Sequence, residues 1–251
     1  MRFTNKRERG VEDEVSDFGF GISDLTFGVS RIRKVYEGRF RALLAQAKAR
    51  RLEEGVQWLL AKARRISATE TIPMGNALTR VYEELAGKPY FQGNSTPTPA
   101  LFWCDAGLGG LARRLRAAGY QALWRADIDD DEVLREARKS SATLLTTDSL
   151  LMERRLLRDR IIPALWVPPT LKIPEQLALV FREFGLKVGE PRCMKCGGEL
   201  LRGDKEALRD QIPPKTYLWL DEYFVCADCG KLFWRGTHWQ RIADRLRNVG
   251  K

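Results

Sequence analysis

The chain has 251 residues, 44% of them hydrophobic, which is enough for one large domain or two small ones with cores of their own. No apolar run approaches the ~18 residues of a membrane span, and the charged start MRFTNKRERG has no apolar stretch behind it, so a cytoplasmic protein without span or signal peptide is expected. Forty-three Lys and Arg against 33 Asp and Glu give a net charge of +10, which favours a polyanionic partner.

Residues 1–29 are polar, contain glycine and lack a sustained period, and are expected to form an irregular arm. From Ile32 the apolar positions Val35, Tyr36, Phe40, Leu43, Leu44, Ala47, Leu52, Val56, Leu59, Leu60, Ala63 and Ile66 recur at helical spacing, with Gly55 as the expected division between two helices. Pro73 separates a further helix around Ala77–Ala86. Between Arg31 and Arg65 lie eleven basic residues, Arg50 and Arg51 among them, and three acids, Glu37, Glu53 and Glu54. That segment carries +8 and reads either as a solvated helix face or as a surface for phosphates. Residues 1–92 thus form a basic, helical N-terminal region, and 93–99 (GNSTPTP) a linker.

Past the linker, short apolar strands alternate with helices. Leu101–Cys104, Gln121–Trp124, Ala142–Thr146 and Ala164–Val167 read as strands. Helices are expected at Leu108–Ala118, from an N-cap at Asp130 to about Arg138, at Ser149–Arg158, and from Pro174 to Phe184. This alternation implies an α/β unit over 100–188, a parallel sheet flanked by helices, whose ligands bind beyond the carboxyl ends of the strands. Cys104, on a core strand, reads as a buried small hydrophobe.

Asp105, Asp130 and Asp148 each follow a predicted strand, so the sheet brings them to one edge. Converging carboxylates repel unless a cation lies between them, and hard oxygen ligands suit Mg²⁺ or Mn²⁺. A basic protein with an acidic, metal-loaded pocket has the electrostatic layout of a nuclease. Asp130 and Asp148 also have a second reading as helix caps, and Asp127, Asp129, Asp131 and Glu132 compete with Asp130 for the pocket. Gly107, Gly109 and Gly110 after Asp105 would let backbone approach a ligand closely. Ala106 and Gly107 offer no second aspartate for a haloacid-dehalogenase phosphatase, and Trp166–Pro169 offers no lysine for a response-regulator receiver.

The remaining residues, 189–251, hold two CxxC pairs, Cys193/Cys196 and Cys226/Cys229, each followed by glycine, Gly197 and Gly230. Four thiolates at this spacing describe a tetrahedral zinc site on two knuckles closed by a β-hairpin excursion, against the alternative of disulfides. Phe233, Trp234 and Trp239 read as the core of this small ribbon, with base stacking as the alternative. His238, the only histidine, reads as a structural contact.

Taken together, LFWCDAGLGGLARRLRAAGY, DIDDDEVLREA, ATLLTTDSLL, RCMKCGGEL and CADCGKLFWRGTHWQRI resemble the Mut-7 C-terminal ribonuclease family over roughly residues 100–242. The resemblance implies a PIN-like nuclease domain followed by a zinc ribbon, with metal-dependent hydrolysis of RNA and Asp105, Asp130 and Asp148 at the family's acidic positions. Gly110, Arg114 and Thr147 stand where the family commonly has Lys, an aromatic and Arg, so two basic side chains are missing near the site. Arg113, Arg114 and Arg116 are the expected substitutes in holding RNA, together with Arg50 and Arg51. The alternative is a PIN-like RNA-binding or ribosome-associated module without turnover.

Overall fold

The computed structural model describes residues 22–88, 99, 101–237, 239, 240, 242 and 244. Among them no helix is long and apolar enough to cross a membrane.

Three helices come first, α1 (Ile22–Gln46), α2 (Leu52–Glu70) and α3 (Met74–Ala86). They close over a core of Tyr36, Phe40, Val56, Leu60, Ala63, Leu78 and Val81. Two expectations are corrected here. Residues 1–21 of the expected irregular arm lie outside the described residues, but 22–29 are already helical. Ile22, Leu25, Val29 and Ile32 continue the three-and-four spacing, which Gly28 and Ser30 obscure. The break between the first two helices falls at 47–51, around Lys48 with its φ of 53°, and not at Gly55. Gly55 is a contact residue, since a Cβ there would lie 2.9 Å from Leu44 Cδ1.

The second unit is a parallel sheet of β1 (Leu101–Cys104), β2 (Gln121–Trp124), β3 (Thr143–Thr146) and β4 (Ala164–Trp166), in the order β2-β1-β3-β4. Alternation along the strands sends side chains to two cores. Phe102, Cys104, Leu145 and Leu165 pack with α4 (Gly109–Ala117) and α7 (Ile173–Phe184), while Trp103 and Leu144 pack with α5 (Asp130–Lys139). All of β3 is buried, as a strand covered on both faces must be. Cys104 is fully buried, as its strand position implied. The expected helix 149–158 is instead a one-turn 3-10 helix, Leu151–Glu153, and a four-residue α6, Arg155–Arg158. Arg154, extended at ψ 137°, separates them, because Leu151 and Leu157 are pulled into the sheet's core while Met152 packs towards α1–α3.

The third unit is an antiparallel sheet of β5 (Leu200–Gly203), β6 (Tyr223–Cys226) and β7 (Leu232–Trp234). The excursion between β5 and β6 carries α8 (Pro214–Trp219). Ile242 returns the chain to the core beneath α4 and α7.

Candidate functional site

The parallel register ends β1, β2 and β3 on one edge, and the acids stand beyond it. Asp105 is the most firmly held. Its Oδ2 accepts from the Thr146 hydroxyl (2.7 Å), the Thr147 backbone N–H (2.6 Å) and the Thr147 hydroxyl (3.2 Å). Its Oδ1 is buried and has no hydrogen-bond partner among the described residues. A carboxylate oxygen withheld from water and from protein donors costs on the order of 1–3 kcal/mol, which a cation at that oxygen would relieve. Asp148 is joined to the same network, because its N–H donates to the Thr146 hydroxyl at 2.9 Å. Its Oδ1 accepts from Leu150 N–H at 2.6 Å, closing a tight turn ahead of the 3-10 helix.

Five acids lie between Asp127 and Glu132, and their partners separate them. Asp129 is the N-cap of α5, accepting from Glu132 N–H at 2.7 Å, so the cap falls one residue earlier than expected. Asp127 and Glu132 pair with Arg125, and Asp131 with Arg154. Asp130 alone makes no ion pair or side-chain hydrogen bond among the described residues. Partial burial pushes its carboxyl above the ordinary range, the charges of Asp148 and Asp105 push it the same way, and Arg154 opposes them. Asp130 therefore feels the other two acids across the strand ends.

Of the three glycines after Asp105, one faces this site. A Cβ on Gly107 would lie 3.6 Å from Asp105 Oδ1 and 3.3 Å from the Thr147 hydroxyl. Gly109 and Gly110 serve packing instead, because a Cβ there would meet the Trp124 indole at 2.6 Å and Ile173 Cδ1 at 2.5 Å.

The four cysteines form a second centre. Their Sγ atoms all lie within 4.8 Å of one another. Cys193 Sγ is 3.7 Å from Cys229 Sγ, Cys196 Sγ is 3.4 Å from Cys226 Sγ, and all are free thiols. A tetrahedron of Zn–S bonds near 2.3 Å has sulfurs about 3.8 Å apart, so the arrangement fits zinc and excludes the disulfide alternative. Gly197 (φ 92°) and Gly230 (φ 66°) take the left-handed turn that brings each knuckle round. Burial raises the Cys193 and Cys196 thiols, the latter to about 12, so a bound cation is what would keep them as thiolates. Phe233 is buried with the cysteines, and Phe224 stacks on Trp239 at 6.0 Å, so these aromatics build the ribbon's core. His238 lies outside the described residues.

The model of the Mut7-C RNAse domain family matches residues 100–246, more than half of the chain. The chain belongs to the Mut7-C RNAse family. No curated protein and no solved structure matches it.

The basic residues expected to serve the Mut7-C domain divide sharply. Arg116 is corrected from a phosphate contact to a structural tie. It is 3% exposed, its Nε donates to Ala122 O at 2.7 Å, and its terminal nitrogen donates to Lys195 O at 2.8 Å and Met194 O at 3.3 Å on the first knuckle. Arg113 is exposed and Arg114 half-buried. In the N-terminal segment Arg31, Arg33, Arg39, Arg41, Arg51 and Lys62 all have carboxylate partners, and the three partners from outside it, Glu153, Glu183 and Glu84, bring its +8 down to +5. Lys34, Lys48, Arg50, Arg64 and Arg65 make no ion pair among the described residues. Arg154, the cation at the acidic edge, was missed in the sequence, where it looked like one more residue of a continuous helix.

Proposed function

We propose that the protein is a Mg²⁺- or Mn²⁺-dependent ribonuclease whose PIN-like acidic site is Asp105, Asp130 and Asp148. The observation that carries the reading is the pairing of an orphaned, buried Asp105 Oδ1 with an Asp130 carboxyl raised by partial burial and by its acidic neighbours. Family membership supports RNA as the substrate. When bound, the divalent cation would polarise the scissile phosphate and make a bound water acidic enough to attack it.

The chain's own residues supply the rest. Thr146 and Thr147 hold Asp105 through Oδ2 and leave Oδ1 free of their donors, and Thr146 passes the same constraint to Asp148. Asp130, in the first turn of α5, brings a carboxylate without a competing partner. Arg154 limits the repulsion and offers a cation to the phosphate. Arg113, Arg114, Arg50, Arg64 and Arg65 would hold the RNA backbone, and the zinc ribbon would stabilise the fold. A cytoplasmic site of action, where thiols stay reduced, belongs to the same proposal.

Asp105→Asn keeps an acceptor for its three donors but loses the charge, so cleavage of a labelled structured RNA in Mn²⁺ should fall about a thousandfold with the melting curve near wild type. Unchanged cleavage by Asp105→Asn/Asp148→Asn would sink the assignment. The second reading, RNA binding without turnover, is favoured by Thr147 turning its hydroxyl to Asp105 and by Ile173 covering Gly110, where basic side chains are missing. Binding with no cleavage in Mn²⁺, set against an EDTA control, would select it.

A further inference from the structure

The loop that carries Asp148 is gripped from outside the α/β unit. Trp166, at the end of β4, is 6% exposed and is the sheet's contribution to the core of α1–α3. Its Nε1–H donates to Thr147 O at 3.0 Å, one residue before Asp148. The backbone of α3 rests directly on the indole, since a Cβ on Gly75 would lie 2.5 Å from Trp166 Cη2. Further along the loop, Met152 packs on both cores, and Arg31 of α1 pairs with Glu153 at 3.7 Å. Other contacts fasten the same two units. Thr170 donates to Asn76 at 2.7 Å, Arg182 donates to Glu83 at 2.6 Å, and Arg39 pairs with Glu183 while lying over the Tyr82 ring.

The grip has a chemical use. Residues 147–154 contain only a single 3-10 turn, and they place the Asp148 carboxylate at the same strand edge as those of Asp105 and Asp130. Such a loop relaxes outward unless something holds it. We propose that the N-terminal helices are a built-in support of the acidic site, with Trp166 as a positioning residue that holds Thr147 and Asp148 in place for a divalent cation. This rests on reading the three acids as a metal site. It also gives part of the basic N-terminal charge a second employment, since Arg31 and Arg39 fasten the helices to the sheet unit rather than to RNA.

The test is Mn²⁺ binding by the full-length, zinc-loaded protein, followed by electron paramagnetic resonance of free Mn²⁺, so that no catalytic readout is needed. Trp166→Phe keeps the ring and removes the N–H. Gly75→Ala raises helix propensity yet pushes on the indole from the other side. Each should weaken Mn²⁺ binding roughly tenfold, the usual effect of losing a group that orients a ligand. Arg80→Ala, which breaks an ion pair with Glu70 inside the helical unit, should leave it unchanged. Wild-type affinity in both indole variants overturns the proposal, as does an equal loss in Arg80→Ala. Failure of the wild type itself to bind Mn²⁺ removes the metal reading, and this proposal with it.

Discussion

Replacing Arg116 by methionine should loosen the junction between the sheet and the zinc ribbon. The guanidinium is buried and has no carboxylate partner among the described residues. Its two short bonds, to Ala122 O at 2.7 Å and Lys195 O at 2.8 Å, tie β2 to the first knuckle. Hydrogen bonds from a charged donor contribute about 1.5–3 kcal/mol each, so the pair represents about 3–6 kcal/mol. Removing a buried charge returns part of this, because desolvating it was costly. Methionine keeps most of the packed volume, and a net loss of about 2–3 kcal/mol remains. For a protein of this size that corresponds to a fall in Tm of roughly 5–10 °C. Differential scanning calorimetry measures the shift, and the rate of zinc transfer to a chelator should rise in parallel. RNA affinity should change less than in Arg113→Ala, which removes an exposed charge. A variant that melts within a degree of wild type and releases zinc no faster would refute the tie.

Cys193→Ser should abolish zinc binding and unfold the ribbon, whose small core is built around Cys193, Cys226 and Phe233; one zinc per chain retained by this variant would contradict the tetrahedral site. Asp130 has a folded-state pKa above its unfolded one, so folding takes up protons and metal-free stability falls as pH rises through the folded value. Asp130→Asn removes that cost and should melt slightly above wild type in the zinc-loaded protein without Mn²⁺ at pH 7, with the order reversed in Mn²⁺; a lower melting point without Mn²⁺ would contradict the burial and repulsion at this carboxyl. Arg154→Ala removes a cation that lowers the Asp130 pKa, so the acid limb of the activity profile should move to higher pH; an unmoved limb would deny Arg154 its place at the site.

What the sequence made legible was what local pattern controls. LFWC and QALW gave strands with the bounds found, because short apolar runs between turn signals have one solution in a parallel sheet. The two CxxC pairs gave their cluster for the same reason, the spacing itself being the geometry. Identities set by distant partners were hidden. Nothing near Arg116 announces carbonyls on a knuckle 78 and 79 residues away. Arg31 and Arg39 looked like free surface charge because Glu153 and Glu183 belong to another unit. Asp130 could not be told from Asp129 until one of them accepted the Glu132 amide. The helix expected at 149–158 failed because Leu151 and Leu157 serve the sheet's core while Met152 packs on the helices as well.

The central claim is that Asp105, Asp130 and Asp148 together hold a divalent cation for phosphodiester hydrolysis. The most direct measurement is a crystal of the protein soaked in Mn²⁺, with anomalous data collected at the manganese edge. The account predicts a peak within coordination distance of Asp105 Oδ1 and bounded by the Asp130 and Asp148 carboxylates, separate from the zinc at the four cysteines. An anomalous map with zinc at the cysteines and no manganese at the strand ends would contradict it.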